Sequence, residues 1–264
     1  MSWRRYLALL GVFVKISFQD DAAYRAEFVA ELLSTLYSLG IVAAGLWVFF
    51  SNTDQIAGWS LNEVIVLIGS YHIIAGVVRA VFSPNFARVI EEVREGTLDF
   101  VLTKPVNSQF LTSFRRITFA RINESLLGLV VVGYGFVRLG AAADPWTALA
   151  FVAAIGCGLV VLYSFWIFIV TLVFWFVRIE NVTEIFWALF EAGRYPRDIY
   201  PGWLRLLLSY IVPVTIVTTV PARGLAGSLS WPALLGFAAG AACALILASR
   251  FWRYGVSHYT SASS

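Results

Sequence analysis

The sequence predicts an all-α integral membrane protein: about six transmembrane helices, an N-terminal interfacial helix and a cytoplasmic amphipathic helix. Three observations carry that prediction. Of the 264 residues, 59% are hydrophobic and only 13% are charged, against about 25% charged in an average soluble domain; mean hydropathy is +0.78. The apolar residues fall in blocks of about 20, the length a helix needs to cross a hydrocarbon core of about 30 Å. Charges gather between the blocks, most densely from Asn85 to Leu111. The chain reads as one membrane domain over residues 1–264.

Residues 1–27 open with Arg4 and Arg5 before an apolar run, as a leader peptide would. Lys15 interrupts the run, however, and Asp20-Asp21 follow it in place of a small-x-small cleavage site. An interfacial helix accounts better for this pattern, with Trp3, Tyr6, Phe13 and Phe18 at headgroup depth. The first span is Phe28 to Phe50, and the second is Leu61 to Phe82 after a turn at 51–60. The loop 83–111 precedes a third span, Ile117 to Val137; an AAADPW turn leads to a fourth, Thr147 to Phe174. Arg178-Ile179-Glu180-Asn181 make a polar connection, and the last span is Trp231 to Trp252. Between 181 and 230 the pattern is ambiguous. Val182 to Gly193 is apolar but short and carries Glu184 and Glu191; Leu204 to Val220 is apolar but is divided at Pro213 and followed by Pro221.

Basic residues set the orientation. Arg4, Arg5, Lys15, Arg25, the loop 83–111, Arg178, Arg250 and Arg253 lie on one side, and the turns at 51–60 and 139–146 carry no lysine or arginine. The positive-inside bias places both termini and the loop in the cytoplasm. One net crossing must then fall between Asn181 and Ser230.

Within the loop, Phe86, Val89, Ile90 and Val93 share one helical face, and Arg88, Glu91, Glu92, Arg94 and Glu95 cover the rest. Gly96 suits a left-handed helix end. Thr97 or Asp99 can cap a second short helix, which Lys104-Pro105 stops. The apolar face is expected to pack beneath the spans and to leave Arg88, Glu91, Glu92 and Glu95 toward the cytoplasm.

The same stretch carries a resemblance. Glu95-Gly96-Thr97-Leu98-Asp99 followed by Leu102-Thr103-Lys104-Pro105 resembles the segment after the second span of ABC-2 type exporter permeases, above all the small bacterial six-span branch. The likeness extends to Tyr195-Pro196, to Ile199-Tyr200-Pro201-Gly202-Trp203-Leu204, and to Pro213 and Pro221. It implies that 83–111 is a coupling loop, with Arg88, Glu91, Glu92, Glu95, Gly96 and Asp99 meeting an ATPase. It makes 180–197 the fifth crossing and 198–230 an external hairpin whose Tyr200, Pro201, Gly202 and Trp203 cap the outer mouth; 204–220 is the competing choice for the crossing. The family assignment leaves Arg194, Arg197, Arg205 and Arg223 outside, against the charge bias. It also implies a bacterial inner membrane location, a second permease copy or related permease, and two separate cytoplasmic ATP-binding cassette subunits holding ATP and Mg2+.

The chain itself has no machinery for ATP. Its lysines are Lys15 and Lys104, and neither sits in a G-x-x-x-x-G-K-[ST] loop. It also lacks H-E-x-x-H and a nucleophile elbow, which argues against the rival reading as an intramembrane enzyme. A non-transporting scaffold is the other rival. No cofactor or metal is expected on this chain. The net charge of +3 and the scattered arginines give no nucleic-acid stripe. Cys157 and Cys243 lie inside predicted spans, so no disulfide framework is expected. Ionisable groups at membrane depth must pair or face water, which singles out Glu31, Glu124 and Glu191 as candidates for a substrate path and His72 as a bond to a neighbouring helix. Gly236 and Gly240 form a G-x-x-x-G expected to seat another helix of the same chain.

Overall fold

The computed structural model describes residues 3–22, 25–140, 145–176 and 182–259. The connection at 178–181 and the first four residues of the AAADPW turn lie outside them.

Helix α1 (Trp3–Ala22) is held to the chain by both rings and backbone. Tyr6 meets Phe110 edge-on at 4.8 Å and Phe18 meets Phe119 at 5.5 Å. Ser17 Oγ accepts from Ile117 N at 3.1 Å, and the Asp21 carboxylate accepts from Phe119 N. These amides precede or begin the 3-10 turn at Phe119, where N–H groups have no helical acceptor and need outside ones. Helix α2 (Arg25–Phe50) follows with its apolar side chains mostly exposed, as lipid contact requires. A two-strand hairpin, β1 (Gln55–Ile56) and β2 (Trp59–Ser60), turns through Ala57 and Gly58 at φ 50° and 81°. Ser60 and Glu63 then form a capping box that starts α3 (Leu61–Val77).

The first departure from expectation comes here. The second span does not stop at Phe82: α3 passes through a π-helical turn, Val78–Phe82, straight into α4 (Ser83–Arg94). Leu61–Arg94 is thus one helix of 34 residues, about 51 Å long. Pro84 ought to break it, because proline has no N–H for the carbonyl four residues back. Two donors besides the helical backbone take up the slack: Thr118 N, from outside the helix, donates to the Ala80 carbonyl at 2.8 Å, and the side chain of Asn85 within α4 donates through Nδ2 to that of Val81 at 2.6 Å. Helices α5 (Asp99–Leu102) and α6 (Ser108–Phe114) follow. The third span, α7 (Ile122–Leu139), is preceded by a 3-10 turn at Phe119–Arg121, so it starts at Phe119 rather than at Ile117. It ends on Gly140 at φ 63°.

Helices α3 and α7 meet backbone to backbone. A Cβ on Gly128 would sit 2.6 Å from Ile73 N, and one on Gly76 would sit 2.5 Å from Ser125 N, so only glycine allows the backbones to approach. Helices α8 (Pro145–Leu172) and, near the C-terminus, α12 (Trp231–His258) run parallel. Trp146 meets Trp231 at one end, while Phe174 meets Trp252 and Trp175 meets Tyr254 at the other. We call these the upper and lower ends; α4–α6 lie at the lower one.

Parallel α8 and α12 require one crossing between them. Helix α9 (Val182–Phe190) and the following 3-10 turns Glu191–Arg194 and Arg197–Ile199 climb along α3. Trp187 lies under Arg79, Phe190 beside Tyr71, and Asp198 accepts from Trp59 Nε1 at 3.3 Å. The partners move from residue 79 through 71 to 59, so 182–199 spans the bundle as a broken rather than a continuous helix. Helix α10 (Gly202–Leu206), prolonged by a π turn to Ile211, then meets α11 (Val214–Leu225) at 87°. At 10 and 12 residues, each arm reaches about 15–18 Å, too little to cross alone. Both feet stand at the upper end, where Arg205 donates to the Asp198 carbonyl at 3.2 Å and Arg223 to the Asp198 carboxylate at 2.9 Å. The elbow reaches mid-depth, with the Val214 carbonyl over Gly193 and Val217 against Gly158. The four arginines that run against the charge bias are thereby occupied. Arg197, Arg205 and Arg223 converge on Asp198, and Arg194 lies 5.1 Å over the Tyr71 ring.

Among the described residues, five helices are each long and apolar enough to cross a membrane; with 182–199 read as a broken passage, the fold is an all-α membrane bundle of about six passages.

Candidate coupling face and polar cluster at membrane depth

At the lower end, α4 buries Phe86, Val89 and Val93, with Phe86 stacked on Trp166 at 5.7 Å. The opposite face leaves Arg88, Glu91, Arg94 and Glu95 exposed. Glu92, expected among them, is only 8% exposed. Arg88 of the same helix and Arg115 beyond α6 both bind its carboxylate, and its carbonyl accepts from Thr97 and Leu98 N at 2.9 and 3.1 Å. Periodicity put Glu92 outside because Arg115, its partner 23 residues on, is invisible to a single-helix projection. Gly96 takes φ 71°, the left-handed conformation that reverses the chain beneath α4. That reversal buries Leu98 and Val101 and leaves Asp99 half-buried. Phe100 is 73% exposed and was missed by sequence reasoning. The available signal was that Leu98 and Val101 share the inward face of a turn that turns Phe100 outward. Beyond Lys104-Pro105, Asn107 Oδ1 caps α6, and α6 is fastened to the bundle by Trp252 Nε1 donating to Ser108 Oγ at 3.2 Å and by Gln109 Nε2 donating to Tyr163 OH at 3.2 Å.

The path candidates do not converge. Glu31 pairs with Arg121 at 2.8 Å. Glu124 is buried and meets both His72 Nδ1 at 3.2 Å and Arg79 at 3.4 Å, which makes His72 the helix–helix bond expected of it. Glu191 stands apart, its side chain 59% exposed, 3.6 Å from Arg194. Gly236 and Gly240 correct another expectation: nothing lies within 4 Å of where a Cβ would stand on either. Instead they line a cavity of about 760 Å³ between α8, the hairpin and α12, together with Ser164, Ser209 and Thr219.

At the upper end Tyr200 OH donates to the Ala192 carbonyl at 2.9 Å. Burial pushes its phenol up to about 12, so it stays a donor through the physiological range. Pro201 and Gly202 are exposed, and Trp203 is 71% exposed at the foot of α10. Because most of Trp203 is exposed, Trp203→Ala should leave the detergent melting temperature nearly unchanged. If it caps the outer mouth, transport should fall severalfold; loss of both together would make it a folding residue instead.

A bundle of long apolar helices, with a second span that runs on past membrane length, defines a multi-pass membrane protein. The model of the ABC-2 family transporter proteins matches residues 37–263, and the chain belongs to that family. Comparison with curated proteins and with solved structures gives no match. It is accordingly a membrane permease component of an ABC transporter, and its own part is not catalytic.

Proposed function

We propose that this chain is the permease subunit of an ATP-driven exporter, working with a second permease and two cytoplasmic ATP-binding cassette subunits. ATP and Mg2+ sit on those partners. The chain lies in a bacterial inner membrane with both termini and the α4–α6 face in the cytoplasm and the hairpin outside. The supporting observation is the unbroken helix Leu61–Arg94: about 20 of its residues fill a membrane core, and the remainder carries the exposed Glu91 and Arg94 below it, with Glu95 at its C-cap. Motion imposed at Glu95, Gly96 and Asp99 passes into α3 without a hinge loop. Through the glycine contacts it passes on to α7, so that ATPase closure becomes a helix tilt. Arg88, partly spent on Glu92, and Glu92 itself brace the face rather than meet the partner. Glu31, Glu124 and Glu191 serve as ion-pair partners within the bundle. Tyr200, Pro201, Gly202 and Trp203 form the outer cap.

The test places single cysteines at Glu95 and Phe100 and crosslinks them in membranes that contain the companion ATPase. The expected product is an adduct between this chain and a nucleotide-binding protein. If neither position yields one, and ATPase activity does not respond to the chain, the non-transporting scaffold is the better reading.

A further inference from the structure

Between α2, the base of α3, the start of α7 and α9 lies a cavity of about 450 Å³ that plays no part in the coupling argument. Arg79, Arg116 and Arg121 line it with the hydroxyls of Ser83 and Thr118, and Trp187 forms an apolar wall. Each arginine is held differently. Arg79 stacks 4.5 Å over Trp187 and touches Glu124 at 3.4 Å. Arg121 meets Glu31 through one nitrogen at 2.8 Å. A guanidinium has five N–H donors, so a single carboxylate contact leaves others open. Arg116 is the distinctive one. Its N–H donates to Asn85 Oδ1 at 3.0 Å, and its carbonyl accepts from Asn85 Nδ2 at 2.6 Å. Its backbone is thus pinned, while its guanidinium has no partner among the described residues. Ser83 and Thr118 hydroxyls likewise have none.

Three carboxylates face this group of cations: Glu27 in the lining, and Glu31 and Glu124 behind Arg121 and Arg79. They balance the charge, so no long-range field is left, yet the donors of Arg116, Ser83 and Thr118 still lack acceptors. A tetrahedral oxyanion satisfies such a set at short range. Depth tells its source. A core of about 30 Å equals about 20 helical residues, so the α3 core entered at Leu61 is left near residue 81, between Arg79 and Ser83. The cavity therefore lies where the phosphates of one leaflet lie. The exposed apolar side chains of α2 beside it, Phe28, Val29 and Leu33, offer a track for acyl chains.

We propose that this cavity binds the phosphate of an anionic phospholipid from the leaflet at the lower end, joining α2, the π turn of α3, α7 and α9 through one headgroup. Basic pockets between transmembrane helices are suited to such headgroups. The proposal does not depend on the direction of transport.

The purified chain in neutral detergent is titrated with phosphatidylglycerol, phosphatidylcholine or inorganic phosphate, and its melting temperature and lipid adducts by native mass spectrometry are followed. Phosphatidylglycerol should raise the melting temperature saturably and remain bound, while the other two should not. Arg116→Gln, which leaves every ion pair of the site intact, should weaken the phosphatidylglycerol effect about tenfold, the loss of one charge-assisted hydrogen bond. Arg253→Gln, exposed elsewhere at the lower end, should not. Should Arg116→Gln fail to fold, the Ser83→Ala/Thr118→Val pair should show the weakening in its place. Equal stabilisation by phosphatidylcholine, or wild-type phosphatidylglycerol binding in these variants, overturns the site. Saturable stabilisation by inorganic phosphate alone overturns the lipid as its occupant.

Discussion

Gly128→Val should cost the protein its fold. Valine at this position would place its Cβ 2.6 Å from Ile73 N, 2.8 Å from the Gly69 carbonyl oxygen and 3.0 Å from the His72 carbonyl carbon. All three are backbone atoms of α3, so no side chain can swing away to make room. Carbon contacts are comfortable at about 3.5–4.0 Å, so α3 and α7 would have to separate by about 1 Å along their shared length. Overpacking of this kind costs about 1–3 kcal/mol, and sometimes more. Here it adds the weakening of the contact between His72 and Glu124, which bridges the same two helices. The expected result is a large drop in melting temperature, or aggregation on solubilisation, measured by size-exclusion of the tagged protein. Gly133→Val supplies the control: it lies on the same helix, and nothing stands within 4 Å of its added Cβ. If both variants behave like wild type, the close α3–α7 approach does not hold the bundle together.

Gly96→Val is the complementary case, with insertion kept and coupling lost. At φ 71°, a side chain pays roughly 1–2 kcal/mol for the left-handed conformation, and a β-branched one is worse placed still. Set against the stability of the whole bundle this is tolerable. Locally it shifts the balance between the seated and unseated turn by a factor of about 5–30. The turn carries Leu98 and Val101 into the core, exposes Phe100 and leaves Asp99 half-buried, so unseating it would dismantle the proposed docking face without touching a span. Stimulation of the companion ATPase and transport should both fall several-fold, while membrane yield and melting temperature stay near wild type. Reversal of charge by Glu95→Lys with Asp99→Lys should do the same through the partner rather than the backbone. Undiminished ATPase stimulation in both variants would remove this face from the coupling mechanism.

Much of this architecture was legible along the chain because its causes are local or solvent-driven. Low charge and apolar blocks of about 20 residues specify a membrane bundle whatever the packing. The Gly96 break was legible because a left-handed residue at a helix end selects glycine locally. The apolar stripe of α4 was legible from its period. Other features rest on residues far apart in sequence, and only the tertiary structure decided them. Helix α3 runs on into α4 because Thr118 N serves the carbonyl that Pro84 leaves without a donor. Glu92 turns inward because Arg115 is there to meet it. The arginines at 194, 197, 205 and 223 are tolerated at the upper end because Asp198 and Tyr71 occupy them. Gly236 and Gly240 face a cavity because the stretch of α12 that carries them lies opposite the hairpin and α8 across an open space. Hydropathy and period report what each segment wants from water or lipid. Which partner satisfies a freed carbonyl or a buried charge is settled only when distant segments are brought within about 3 Å of each other.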